Sequence, residues 1–152
     1  MNKLTLKNFK SIKNNMFVGI MTIEEYSYLV KEGFIEVSNK ITDITHAENM
    51  ADNYNKSERL DKNLNELPIF TVSLVVEDND INKLTVFGDN LLIESDSIKI
   101  LDGENTTLIM SYLDEKFYGN KISVIIYYYT DIESKNLLMT FNKQNIKENN
   151  QK

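Results

Sequence analysis

Cysteine is absent from this 152-residue sequence, and histidine, arginine and proline occur once each, as His46, Arg59 and Pro68. Without cysteine there is no disulfide scaffold, no thiolate nucleophile and no Cys-ligated metal or iron–sulfur centre. A single histidine excludes His-rich metal sites, and no Ser/His/Asp or Cys/His arrangement exists. A lone arginine excludes the broad arginine stripe of many nucleic-acid-binding surfaces, because the flat five-donor guanidinium is what matches two oxygens at once. The other 16 cations are lysines, and 23 Asp+Glu bring the formal charge to -6. A local lysine patch is therefore the most DNA-directed surface the chain can offer. Long hydrophobic runs are missing too: SVIIYYY falls far short of the roughly 20 residues needed to span a bilayer. The N-terminal MNKLTLKNFKSIKNN intersperses its apolar residues with Lys and Asn, so it lacks the continuous apolar region of a signal peptide. A cytoplasmic protein without membrane attachment is expected.

No Gly/Ser/Pro-rich linker divides the chain and no repeat of 20–50 residues stands out. One domain over residues 1–146 follows, with a disordered polar tail at 147–152. The ends look loose, and no element is assigned to residues 1–15. Residues 16–21, MFVGIM, read as a strand. Thr22 opens a helix with Glu25 three residues on, the spacing of a capping box. Ile23, Tyr26, Leu29 and Val30 share one face of that helix, and Gly33 stops it. Residues 39–66 are polar and mostly helical in propensity with few apolar anchors, which predicts short helices or a partly mobile stretch, and Leu67-Pro68 ends it. FTVSLVV (70–76) reads as a buried strand. LTVF and LLIES follow as short strands around Gly88-Asp89-Asn90, a hairpin signal.

The C-terminal half carries a strand–turn–helix–strand–helix order. Ile98, Ile100 and Leu101 form a strand that runs into Asp102-Gly103. A helix from Asn105 places Leu108, Ile109, Tyr112, Leu113 and Phe117 on one stripe and stops at Gly119-Asn120. ISVIIYYY (122–129) is apolar on both faces, as a central strand is. Asp131 caps a last helix to about residue 145. This order is a βαβα unit, and with the preceding meander it gives an α+β fold, a mixed sheet flanked by helices.

One constellation has chemical content. SIKILDGENTTLIMSYL puts Asp-Gly at the carboxyl end of a strand and opens a helix at once, where α/β folds place ligands. The turn glycine lets backbone approach a ligand, and free amides at the helix start attract anions. Thr106 and Thr107 add hydroxyls, and Asp102 can orient a water, hold a metal or accept hydrogen bonds from the turn. The same residues also make an ordinary helix start with no ligand.

ILDGENTT, KISVIIYYY and TDIESKNLLMTFN, in this order and spacing, resemble the ParB/sulfiredoxin-like superfamily, specifically its DGQHR-motif, DndB-like branch. MFVGIMTIEEY and LPIFTVSLVV resemble that branch's opening strand and helix and a later strand, so the likeness covers most of residues 16–145. The resemblance implies a ParB/sulfiredoxin-like mixed sheet, with binding or hydrolysis of nucleotide (ATP or CTP with Mg²⁺), or a part in DNA modification and its regulation. Asp102 and Gly103 match the motif's first two positions, Glu104 stands at the Gln, and Asn105 and Thr106 replace the His and Arg. Asn142 matches the asparagine that ends the last helix. Replacing the family's arginine removes a charge-assisted, bidentate phosphate contact worth roughly 1.5–3 kcal/mol or more. The motif is thus degenerate, DGENTT, and Glu104 further disfavours a polyphosphate unless Mg²⁺ intervenes.

Elsewhere the bland reading of each feature is the stronger. Lys56, Arg59 and Lys62 lie near one helical face and form a weak candidate phosphate contact, with Glu58 and Asp61 as local partners. His46 reads as a surface or helix-start residue. Glu77-Asp78-Asn79-Asp80 lacks the spacing of a calcium loop. Tyr127 and Tyr129 point to one side of a strand and Tyr128 to the other, which favours burial over base stacking. Carboxylate pairs Glu24-Glu25 and Asp114-Glu115 sit on helix exteriors, unsuited to acid–base work.

The function expected is a non-catalytic or weakly nucleotide-binding module in bacterial or phage DNA transaction, modification or defence, acting through a protein or DNA partner. The abundance of asparagine, AT-rich in its codons, fits such an origin. Its nucleotide- or partner-binding candidates are Asp102, Gly103, Glu104, Asn105, Thr106, Thr107 and Asn142. Two alternatives remain: a Mg²⁺-dependent nucleotide phosphohydrolase using Asp102 and Glu104, and a phage-type acidic protein that blocks a host protein.

Overall fold

The computed structural model describes residues 2–13, 15–37, 43–56, 70–77 and 83–129. Within these residues seven strands build one sheet: β1 (Asn2–Lys13), β2 (Met16–Thr22), β3 (Thr71–Glu77), β4 (Lys83–Phe87), β5 (Asn90–Ser95), β6 (Ile98–Asp102) and β7 (Lys121–Tyr129). Among the described residues three helices accompany them: α1 (Ile23–Lys31), α2 (Ile44–Asn55) and α3 (Glu104–Ser111), with a 3-10 turn at Glu115–Phe117. The spatial order is β4-β5-β1-β2-β7-β3-β6. Only β3 and β7 run parallel; the other neighbours are antiparallel. The expected mixed sheet with helices is therefore the observed α+β architecture. The last helix read at 131–145, the turn 78–82 and residues 57–69 lie outside the described residues.

The largest departure from the sequence reading is β1, placed where no element was assigned. Its first half pairs with β5 (Leu4 opposite Ile93, Leu6 opposite Leu91), and its second half pairs with β2 (Lys7 opposite Ile20, Ser11 opposite Phe17). The change of partner falls at Asn8, whose φ of 51° is left-handed and which sits in a register shift between Lys7 and Lys10. Asparagine tolerates that conformation better than most residues. The Phe9 amide then donates to the Asp89 carbonyl at 3.0 Å, tying the bulge to the β4–β5 turn.

The strand–helix–strand order also resolves differently from a parallel crossover. β3 separates β6 from β7, and because it is antiparallel to the first and parallel to the second, β6 and β7 run in opposite directions. β7 is central, as its sequence indicates. Ile122, Val124 and Ile126 face the core and are fully buried, while Tyr128 packs against the core on the same side. Tyr127 points the other way and is half-buried.

At the start of α1 the capping box forms as read. The Glu25 amide donates to Thr22 Oγ1 at 3.1 Å and the Thr22 amide to Glu25 Oε2 at 3.5 Å. Ile23, Tyr26 and Leu29 are buried, and Gly33 takes φ 78° after the helix ends. Thr22→Ala is expected to lower stability by about 1 kcal/mol in urea unfolding, the usual worth of such a cap.

The helix read from Asn105 through Phe117 is shorter than its apolar stripe. α3 ends at Ser111, yet Ile109, Leu113 and Phe117 are all buried. Asn55, at the end of α2, accounts for the break. Its Nδ2 donates to the Tyr112 carbonyl at 3.2 Å, and its Oδ1 accepts from the Asp114 amide at 2.9 Å. Lys116 Nζ donates to the Asn55 carbonyl at 2.7 Å. Backbone groups that would continue α3 are thereby held by α2 instead. Buried side chains of the helices join Leu4, Leu6, Val72, Leu74, Val76, Leu91, Ile93, Ile98 and Ile100 of the sheet in one continuous core. Gly19 lets β1 and β2 approach closely there, since a Cβ would lie 2.8 Å from Leu6 Cβ.

Candidate functional site

The turn after β6 is built around Gly103. It caps α3 with φ 112° and ψ 23°, a left-handed conformation open to glycine and strained for other residues. A Cβ there would also stand 3.0 Å from Val72 Cγ1 and 3.3 Å from Val72 Cα. Two local demands, a positive φ and close packing on β3, thus account for the glycine without a ligand. No side chain caps the helix, and Asp102 and Glu104 flank its start.

Thr107 closes the turn. Its amide donates to the Gly103 carbonyl at 2.8 Å, and its hydroxyl donates to the same oxygen at 2.7 Å. The Tyr26 hydroxyl lies 2.7 Å from Thr107 Oγ1. Because the single Thr107 proton is directed at Gly103, Tyr26 is the donor in that bond. Both side chains are buried. Burial pushes the Tyr26 phenol up to about 12; the bond to Thr107 pulls the other way, and the Glu104 carboxylate adds to the rise. The phenol is thus neutral through the physiological range. The sequence marks Thr107 as a candidate but Tyr26, 81 residues away, only as one member of an apolar helix face.

The structure separates the roles of the turn's six candidates. Asp102 and Asn105 are exposed, Gly103, Glu104 and Thr106 are half-buried, and Thr107 is enclosed. Asn142 lies outside the described residues, so the end of the resembled motif is not placed. Glu104, Thr107 and Leu108 of α3 line a cleft of about 420 Å³ shared with Val30 and Lys31 of α1. Lys31 and Glu104 set one charge of each sign on its wall. Asp102, Gly103, Asn105 and Thr106 do not line that cleft.

The remaining candidates fall elsewhere. Lys56 follows α2 as its exposed C-cap; Arg59 and Lys62 are outside the described residues. His46 sits in the first turn of α2, exposed, with its amide donating to Asp43 Oδ1 at 3.0 Å. Glu77 pairs with Lys99 at 2.9 Å across β3 and β6. Among the described residues, no three of His, Cys, Asp and Glu converge as a metal-binding group. Among the same residues, no helix is long and apolar enough to cross a membrane. Comparison with protein-family models, curated proteins and solved structures finds no match.

Proposed function

We propose that this chain is a non-catalytic module that acts through a protein partner in bacterial or phage DNA transaction, modification or defence, with the 102–107 turn serving as a brace between helices. The setting rests on the ParB/DndB-like order of ILDGENTT, KISVIIYYY and TDIESKNLLMTFN. The observation that carries the non-catalytic reading is the bonding of Thr107. Its hydroxyl donates to Gly103 and accepts from Tyr26, so one of the turn's two hydroxyls is engaged within the fold. Two carboxylates at the turn and a net charge of -6 further disfavour a polyphosphate or a DNA backbone.

Thermal unfolding with ATP or CTP, with and without Mg²⁺, tests this. A nucleotide present at ten times its Kd stabilises by about 1.4 kcal/mol, which raises Tm by roughly 3–6 °C in a domain of this size. The expected result is no shift at millimolar nucleotide and no difference between the wild type and Asp102→Ala. A rise of several degrees that needs Mg²⁺ and disappears in Asp102→Ala would overturn the proposal in favour of a phosphohydrolase.

A further inference from the structure

The two edges of the sheet are finished differently. At the β6 edge, Glu36 forms a bridge: its amide donates to the Ile98 carbonyl at 2.8 Å, and the Ile100 amide donates to the Glu36 carbonyl at 3.2 Å. At the β4 edge, among the described residues, β4 pairs with β5 alone. Its sequence, KLTVF, has no proline and no register shift, and its single charge stands at one end of the strand. Lys83 stands opposite Glu94, which offsets that one charge.

Two rows of apolar side chains lead to this edge. Leu4, Ile93 and Leu84 stand opposite one another across β1, β5 and β4, as do Leu6, Leu91 and Val86. The inner members are fully buried, whereas Leu84 is 38% and Val86 62% exposed, and Phe87 at the strand end is 47% exposed. The core pattern thus runs on into β4, where its apolar side chains are partly exposed.

The backbone polarity of the edge follows from the turn. Phe87 and Asn90 face each other across the two-residue turn Gly88-Asp89, in which Gly88 alone has positive φ, the pattern of a type II′ hairpin. Residues flanking such a turn form a hydrogen-bonded pair, and these alternate along the ladder. Phe87, Thr85 and Lys83 therefore direct their N–H and C=O groups to β5. Leu84 and Val86 direct theirs outward.

We propose that β4 is a self-association edge, where a second copy of this chain adds its own β4 antiparallel about a two-fold axis at Thr85. In that register Leu84 faces Val86 of the second copy, and Val86 faces its Leu84, each as a hydrogen-bonded pair. Thr85 faces Thr85, a non-hydrogen-bonded pair with closely spaced Cα atoms. Each apolar row then continues into the other copy: Leu4, Ile93 and Leu84 run on to Val86, Leu91 and Leu6 of the partner. Charge selects the direction. Lys83 falls beside the Phe87 ring of the second copy, a favourable cation–π neighbour, whereas a parallel, in-register arrangement would set Lys83 on Lys83. The pairing is isologous, so it closes at two copies. Its surface lies at the opposite edge of the sheet from β6 and Asp102, so it is independent of the 102–107 turn.

A five-residue strand contact is at the small end of specific interfaces, so the dimer is expected to dissociate on dilution. Sedimentation equilibrium of the full chain should move from 17.7 kDa toward twice that mass as concentration rises to about 1 mM. Val86→Lys, on a side chain already exposed, should keep its fold by circular dichroism and stay monomeric over the same range. Because the chain has no native cysteine, Thr85→Cys under mild oxidation reports the register. It should cross-link at least tenfold faster than Lys83→Cys, whose sulfur would face phenylalanine. A wild type that stays monomeric throughout would overturn the proposal. So would a dimer that Val86→Lys leaves intact, or equal cross-linking at the two positions, since either places the contact elsewhere.

Discussion

Replacing Gly103 with valine is expected to lower the stability of the fold by about 3–5 kcal/mol, from backbone strain and overpacking together. Both causes are visible at one residue. Its φ of 112° disfavours any side chain, and its would-be Cβ stands 3.0 Å from a Val72 methyl. The contacts at Val72 Cα and Cβ, both 3.3 Å, cannot be relieved by a rotamer change alone. β3 would have to move, and it is held on both sides by β6 and β7. Urea unfolding of the wild type, Gly103→Ala and Gly103→Val should give losses that rise in that order. In combination with Val72→Ala, the loss from Gly103→Val should shrink by about 1–2 kcal/mol, the coupling expected of touching residues. The remainder belongs to φ, which Val72→Ala does not relieve. A glycine kept only for ligand approach would behave otherwise: Gly103→Ala would leave urea unfolding unchanged.

What the sequence made legible was whatever depends on neighbours in the chain. The capping box at Thr22 and Glu25, the Gly88-Asp89 turn and the β-branched run of β3 are local patterns, and each stands where it was read. β1 was missed because its signal is weak locally. Only Leu4 and Leu6 alternate cleanly before Asn8 breaks the period, and the strand is stabilised by two different partners, β5 and β2. The end of α3 was misplaced for a similar reason. Ile109, Leu113 and Phe117 keep helical spacing, but the side chain that interrupts the helix is Asn55, nearly sixty residues earlier. No periodicity within 105–117 reports a contact from α2. At the site, strand–Asp–Gly–helix was legible in full, including its ambiguity between ligand cradle and plain helix start. The long-range bond from Tyr26 was the missing information, because it engages the Thr107 oxygen as an acceptor within the fold.

That bond leads to an asymmetric result in mutagenesis. Thr107→Val, nearly isosteric, is expected to cost about 2–4 kcal/mol, because it leaves the buried Tyr26 hydroxyl without an acceptor. Tyr26→Phe is expected to cost only about 1 kcal/mol, since Thr107 keeps its bond to the Gly103 carbonyl. The double variant should be less destabilised than the sum of the two, as the stranded donor is removed along with its acceptor. Alkaline pH provides a second reading of the same pair. The folded phenol is raised to about 12, against about 10 in the unfolded chain. Between these values the native state holds a proton that the unfolded state has lost, so stability falls as pH rises. The loss, about 2–3 kcal/mol by linkage, is absent below pH 10 and complete past about 12, and it exceeds the roughly 1 kcal/mol that the hydroxyl adds at neutral pH. Alkaline pH also acts on the rest of the chain, so the test is the difference between wild type and Tyr26→Phe. The wild type should lose its stability advantage over Tyr26→Phe between about pH 10 and 12. Parallel pH profiles for the two would mean that Tyr26 reaches solvent, and the turn would then be open to a ligand rather than braced.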